Sequence, residues 1–143
     1  MASPPNKGPY ALDEQIGFIL RKVSQRHTSI FTAAFGADLT APQWATLAKL
    51  YENGPTSQNQ LGRHVALDAA TIKGVVDRLS GRGLIATGPD PDDARRVVVS
   101  LTDNGRSEAE RGFAMAQRAT EETLSPLNPA ERAQLLALLK ALS

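Results

Sequence analysis

Apolar residues recur every three or four positions along most of the chain, which is the spacing of amphipathic helices. The first such stripe runs from about residue 10 to 35 and stops at Gly36. A second stripe begins after Thr40, a favoured N-cap residue, and Pro42 suits the first turn of a helix. Residues 1–9 contain three prolines and almost nothing to bury, so we predict a mobile N-terminal arm followed by two helices.

The next two helical stripes are short and lie close together in the sequence. Either Thr56 or Ser57 is predicted to cap the first of them, and Asp68 is predicted to cap the second. The second helix carries one apolar stripe, formed by Ile72, Val75, Val76 and Leu79. Two short helices joined by a tight turn form a helix-turn-helix, a motif that in DNA-binding proteins places its second helix in the major groove.

The helical pattern is interrupted only once, by two runs rich in β-branched residues at 84–87 and 97–101. Proline and aspartate dominate the segment between them, residues 88–96, and both favour turns. We therefore predict a two-stranded β-hairpin with a charged tip, which is a wing placed directly after the helix-turn-helix.

Arg95 and Arg96 lie at the predicted tip of this hairpin, where their charge can reach a narrow, A·T-rich minor groove. Asp93 is predicted to hold the wing by accepting hydrogen bonds from an arginine, either Arg78 or Arg95. The alternative is an acidic, solvated hairpin tip without a function.

Two further helices complete the predicted fold. Residues 102–105 form a capping sequence for a long helix that ends before Pro126. Asn128, followed by Pro129 and Glu131, predicts the start of the last helix. That helix has more apolar surface than one small neighbour would cover, at Leu135, Leu136, Leu138, Leu139 and Leu142. The predicted fold is mainly α with a small β-hairpin wing, in one domain over residues 10–143.

Composition excludes several classes of function. The chain has no cysteine, which removes disulfides and thiol-based redox sensing, and only His27 and His64 could supply imidazole to a metal. Neither a membrane-length apolar run nor a signal peptide is present, so a cytoplasmic protein without membrane contact is expected. No catalytic constellation or cofactor-binding motif is present, so we predict no enzyme and no cofactor. The net charge of +1 neither requires nor excludes nucleic acid.

The polar face of the helix that begins at Asp68 holds the candidate DNA contacts. Lys73 and Arg78 can donate to phosphates or guanine acceptors, whereas Ala70 and Thr71 can contact bases or thymine methyl groups. Asp77 would repel phosphates, but Lys73 lies four residues earlier and can neutralise it. The alternative is an ordinary core helix whose polar face is merely solvated.

Gly74 lies on the same face. Glycine inside a helix costs ~0.5–1 kcal/mol relative to alanine, so close approach of the helix backbone to base edges would explain it. A tolerated weak point in the helix is the alternative.

Several segments resemble the multiple antibiotic resistance regulator (MarR) family of winged helix-turn-helix transcription factors. They are Leu39 to Leu47 (LTAPQWATL), Gln60-Leu61-Gly62, Val76-Asp77-Arg78-Leu79 with Gly83-Leu84-Ile85, and Asp90-Pro91-Asp92-Asp93-Ala94-Arg95 with Val99-Ser100-Leu101-Thr102 and Gly105. The similarity extends over nearly the whole chain from about residue 10. The chain departs from the family at Ala86-Thr87-Gly88, where relatives usually place basic residues.

The resemblance implies a homodimer in which residues 10–36 and 103–143 supply dimerisation helices and residues 39–102 form the winged helix-turn-helix. Two recognition helices would then read a near-palindromic operator with half-sites ~10 bp apart. In the family, Asp93 and Arg95 match a wing pair that supports DNA contact. Ser57 and Gln58 match positions that often meet phosphates.

The resemblance also implies a small effector, commonly aromatic and anionic, bound between the dimerisation helices and the winged unit. The candidates in this chain are His27, Phe31, Trp44 and Phe113. Their alternative is structural, because aromatic residues at helical spacing usually form core, and His27 can be an interface histidine.

The expected function is a dimeric, ligand-responsive DNA-binding regulator, a repressor that a small aromatic or anionic molecule releases from its operator. The alternative is a winged-helix module that binds proteins and has no sequence-specific affinity for DNA.

Overall fold

The computed structural model describes residues 8–143, so the predicted arm of residues 1–9 lies almost wholly outside the described part. Within it, helices and strands follow in the order α1 Ile16–Phe35, α2 Ala41–Asn53, β1 Thr56–Ser57, α3 Gln58–His64, α4 Ala69–Gly81, β2 Ile85–Pro89, β3 Val97–Leu101, α5 Asp103–Leu124 and α6 Pro129–Leu142. The mainly helical fold with a small wing is confirmed.

The start of the first helix was predicted wrongly. Helix α1 begins at Ile16, and the residues before it form a separate 3-10 turn, Leu12–Glu14. Gln15 is extended between them, with φ −89° and ψ 135°, and its side-chain amide donates to the carbonyl of Ala11 at 3.0 Å. A single extended residue leaves the spacing of the apolar side chains almost unchanged, so the periodicity alone did not reveal the break.

Helix caps agree with the sequence wherever it named one residue. Thr40 and Gln43 form a reciprocal capping box at α2, and Asn128 and Glu131 form another at α6. The cap of α3 is Ser57. Thr56 does not cap this helix, because its hydroxyl donates to the carbonyl of Gly54. The Asp68 carboxylate accepts from the Thr71 amide at 2.7 Å, and Thr102 caps α5.

The predicted two-stranded hairpin is part of a three-stranded antiparallel sheet with the order β1-β3-β2. Strand β1 pairs Thr56 with Val99 and Ser57 with Val98, which ties the start of α3 to the wing. Two residues are too short for a β pattern to be visible in the sequence, so β1 was missed. This strand fixes the position of the wing relative to the helix-turn-helix.

Helix α4 packs its apolar stripe into the core and leaves its polar face to solvent. Ile72, Val76 and Leu79 are at most 1% exposed, and they meet the fully buried Leu47 of α2 and Leu61 of α3. The predicted helix-turn-helix is therefore present, and its second helix offers one free face.

Helix α5 joins the winged unit to α1, and a glycine makes this possible. A side chain at Gly112 would overlap the Trp44 ring of α2, so the two helices are close only because position 112 has no Cβ. Phe113 of α5 is 36% exposed at the edge of this contact, where its ring meets Trp44 and Tyr51 edge-on.

A large apolar surface remains uncovered on α1, α6 and the turn before α1. The exposed residues are Leu12, Ile16, Ile19, Leu20, Val23, Leu136, Leu138, Leu139 and Leu142. Across residues 8–143, no helix combines the length and apolar character needed to cross a bilayer.

Candidate nucleic-acid interface

The exposed face of α4 carries the side chains that the sequence assigned to DNA. Ala70, Thr71, Lys73 and Arg78 are all exposed. Lys73 pairs with Asp77 at 2.9 Å, as predicted, so the aspartate is neutralised within its own helix. The face can therefore approach a polyanion without an uncompensated carboxylate.

No neighbour within residues 8–143 forbids a side chain at Gly74. A Cβ built there would meet only the Arg78 guanidinium, at 3.4 Å, and that group ends a flexible side chain. Arg78 lies back along the helix and donates to the Gly74 carbonyl at 3.4 Å. Packing inside this chain therefore does not explain the glycine.

The wing tip is organised by Asp93, and its partner is Arg95 and not Arg78. Asp93 accepts from the Arg95 backbone amide at 3.0 Å and from its Nε at 3.1 Å, and Arg96 lies 3.8 Å away. These hydrogen bonds from Arg95 hold the pKa of the Asp93 carboxyl group below its ordinary value. The Arg95 side chain is still 91% exposed, so its guanidinium is open to solvent while Asp93 holds it in place.

A polar depression of about 460 Å³ lies between the start of α3 and the wing. It brings together four residues that the sequence proposed as DNA contacts, namely Ser57, Gln58, Arg95 and Arg96. It also contains three that were missed, Asn59, Gln60 and Arg63. Only the sheet pairing of β1 with β3 brings α3 beside the wing, and the sequence did not reveal that pairing.

The four proposed effector residues do not line one cavity. His27 and Phe31 border a cavity of about 430 Å³ between the end of α1 and the start of α2. Phe113 borders a separate, open depression on α5. Trp44 lies between them, with its ring 5.3 Å from Phe35 and 5.5 Å from Phe113.

His27 has a hydrogen-bond partner within the chain. Its Nδ1 lies 2.8 Å from the Thr123 hydroxyl of α5, which holds the ring at the edge of the cavity. The other ring nitrogen has no hydrogen-bond partner among residues 8–143 and can donate a hydrogen bond to a ligand carboxylate. Among residues 8–143, no group of three or more potential metal ligands is found.

Comparison with known proteins gives a consistent result. Residues 39–97 match the sequence model of the MarR family. The chain is 41% identical over 140 residues to the HTH-type transcriptional repressor NicR of Pseudomonas putida, which covers 97% of this chain and 89% of that protein.

Solved structures agree. A probable transcriptional regulator from Pseudomonas aeruginosa is 52% identical, with a TM-score of 0.89 over 93% of this chain and 100% of its own. Bordetella bronchiseptica BpsR is 40% identical, with a TM-score of 0.91 over 94% of this chain and 97% of its own, and its structure concerns regulation of DNA binding by 6-hydroxynicotinic acid. Similarity over nearly the whole length, together with a winged helix-turn-helix, shows that the chain belongs to the MarR family of transcriptional regulators, whose members are not enzymes.

Proposed function

We propose that the protein is a dimeric repressor that binds a near-palindromic operator and is released by a small aromatic acid. The exposed face of α4 would enter the major groove, and Arg95 and Arg96 would enter the adjacent minor groove. The observation that carries the proposal is that α4 and the wing, the two elements that would enter the grooves, both lie beside α3. Arg63 of α3 borders the depression next to the wing as well as a second one next to the start of α4.

Dimerisation is supported by the apolar residues that the single chain leaves uncovered on α1 and α6. Leu138 is 57% exposed and Leu142 is 72% exposed, although both lie on a well-capped helix. Surfaces of this kind mark interfaces. A second copy that covers them would also set the distance between two α4 helices, as a palindromic operator requires.

Leu138→Glu is expected to shift the protein toward monomer at micromolar concentration, because a carboxylate buried in an apolar interface costs several kcal/mol. Light scattering after size-exclusion chromatography measures the mass. Ala86→Glu is the matched control, since Ala86 is exposed on the wing and distant in sequence from α1 and α6. A monomeric unmodified protein would contradict the proposal.

The effector is inferred to be an aromatic carboxylic acid of the 6-hydroxynicotinic acid type, the compound that regulates BpsR. The cavity bordered by His27 and Phe31, about 430 Å³, lies within the ~300–1,000 Å³ range of small-molecule sites. His27 supplies one polar group able to meet a carboxylate, and Phe31 supplies an aromatic wall. Release from DNA requires only that the acid bind the non-DNA geometry better.

The test is fluorescence anisotropy with the protein and a labelled duplex from its own upstream region. We expect a submicromolar Kd and an affinity that falls steeply as the salt concentration rises, because phosphate contacts are sensitive to salt. Addition of 6-hydroxynicotinic acid should lower the affinity further. The corresponding amide, which lacks the carboxylate, is the control ligand. Absence of a sequence-selective, salt-sensitive complex would contradict DNA binding and favour the protein-binding alternative, whereas equal effects of acid and amide would contradict the carboxylate role.

Gly74→Ala tests whether α4 approaches DNA closely. Because nothing rigid among residues 8–143 blocks a Cβ there, alanine should stabilise the fold by ~0.5–1 kcal/mol. It should nevertheless weaken operator binding about tenfold or more, since the added methyl group holds the helix away from the bases. Thermal unfolding and anisotropy give the two values.

Gly81→Ala is the matched control for Gly74→Ala. Gly81 lies two turns further along α4, and a Cβ there meets nothing within 4 Å. A Gly74→Ala protein that gains stability and keeps its operator affinity would identify Gly74 as a tolerated weak point in the helix.

A further inference from the structure

Arg63 lies on α3 between the two parts of the winged unit that would read DNA. On one side it borders the depression shared with the wing residues Arg95 and Arg96. On the other it borders a depression that reaches Asp68 and Ala69 at the start of α4. Arg63 therefore lies between the wing and the start of α4, the elements proposed above for the minor and the major groove.

Arg63 also differs from the other six lysines and arginines of residues 39–102 in the partners of its side chain. Each of those six has a partner within the chain: Lys49 with Glu52, Lys73 with Asp77, Arg78 with the Gly74 carbonyl, Arg82 with the Asp38 carbonyl, and Arg95 and Arg96 with Asp93. Arg63 is exposed, and within residues 8–143 its side chain has neither an ion pair nor a hydrogen bond; its backbone carbonyl accepts from the Ala66 amide at 3.3 Å.

The depression next to the wing carries an excess of positive charge. Three arginines are among its lining residues, and no aspartate or glutamate is. Asp93 lies outside that lining, and Arg95 and Arg96 share its carboxylate. Three cations that converge with one shared anion repel each other, and an external anion relieves that repulsion.

The geometry of a duplex indicates which anion. A sugar-phosphate strand separates each major groove from the adjacent minor groove, so a protein with one element in each groove must meet that strand between them. On this protein Arg63 of α3 lies between the start of α4 and the wing. The amide side chains of Asn59 and Gln60 in the same depression add hydrogen-bond donors suited to phosphate oxygens.

We propose that this depression binds one phosphodiester group of the operator in each half-site, with Arg63 as its principal cation. The proposal rests on the proposed function, because it requires α4 and the wing to occupy adjacent grooves of one duplex. It adds a contact that positions the two readers without reading sequence.

The first test compares Arg63→Ala, Arg63→Lys and Arg118→Ala by anisotropy over a salt series. Arg63→Ala should lower affinity about tenfold, by the same factor on operator and on unrelated duplex, and reduce the salt slope by about one. Lysine keeps the charge and should keep the slope. Arg118 is exposed on α5, outside the winged unit of residues 39–102 and outside the depression of Arg63, and its removal should change neither value.

The second test places neutral methylphosphonate linkages one at a time along the operator. One position in each half-site should weaken binding of the unmodified protein and have no further effect on Arg63→Ala, because the charge pair is already lost. Arg95→Ala should remain sensitive at that position.

Two results would overturn the phosphate site: an unchanged salt slope for Arg63→Ala, or a larger loss on operator than on unrelated DNA, which would indicate base reading. Both require that the unmodified protein binds the operator. If it binds no duplex in a salt-dependent way, the proposed function itself fails, so the two failures are distinguishable.

Discussion

Arg95→Ala is expected to weaken operator binding by roughly 10- to 100-fold, equivalent to ~1–3 kcal/mol, while the fold and the dimer remain intact. The side chain is 91% exposed, so the protein loses no packing when it is removed. Its hydrogen bonds to Asp93 hold the guanidinium in one orientation, so Arg95 loses less conformational entropy when it enters the minor groove. Anisotropy on the operator measures the loss.

Asp93→Ala is the informative companion, because Asp93 acts by positioning Arg95. The single variant should lose part of the affinity, and adding Arg95→Ala to it should cost less than Arg95→Ala alone. Hydrogen bonds from Arg95 depress the pKa of the folded Asp93 carboxyl, so its stabilising effect is present above the ordinary carboxyl pKa and is lost only as the pH falls through the depressed value. The wing is therefore organised at neutral pH. Unchanged affinity of Arg95→Ala would remove the wing tip from the mechanism.

Gly105→Ala is expected to destabilise the fold by about 3 kcal/mol or more, the largest stability effect that we predict for a single methyl group. A Cβ at position 105 would overlap the Leu84 carbonyl oxygen and lie 2.9 Å from its carbonyl carbon. That oxygen accepts from the Thr102 amide at 3.1 Å, and the Gly105 amide donates to the Thr102 hydroxyl at 3.0 Å. The backbone of the wing and the cap of α5 are thus joined at this point and cannot move apart cheaply.

Urea and thermal unfolding measure the effect of Gly105→Ala. Gly81→Ala serves as the control, since the same methyl group meets open space there and should stabilise the protein slightly. Equal stabilities of the two variants would show that α5 can shift away from Leu84 at little cost. A large loss at position 105 alone would confirm that the wing is held tightly against α5.

Local features of this protein were predictable because neighbours in sequence determine them. The caps at Thr40, Asp68 and Asn128 follow from side-chain oxygens placed three residues before a backbone amide. The pair of Lys73 with Asp77 follows from one turn of a helix. For Asp93 the sequence left two arginines as candidate partners, and in the structure the partner is Arg95, two residues away.

Features that depend on distant segments were not predictable. Strand β1 has two residues, and only its pairing with Val98 and Val99, some forty positions later, makes it a strand. The same pairing places Arg63 beside the wing, which no spacing along the chain suggests. The family resemblance grouped the proposed effector residues, yet the approach of α2 to α5 at Gly112 puts Trp44 between the cavity of His27 and the depression of Phe113.

Most helices and caps, the buried stripe of α4 and the wing follow from the residue order, because hydrophobic periodicity and side-chain hydrogen bonds act over a few residues. Which charges converge and which surfaces remain uncovered depends on how distant segments pack. Arg63 became a candidate phosphate contact, and α1 and α6 a candidate interface, through packing between segments far apart in the chain. Electrostatic repulsion and apolar burial depend on distance in space, and the order of residues does not state that distance.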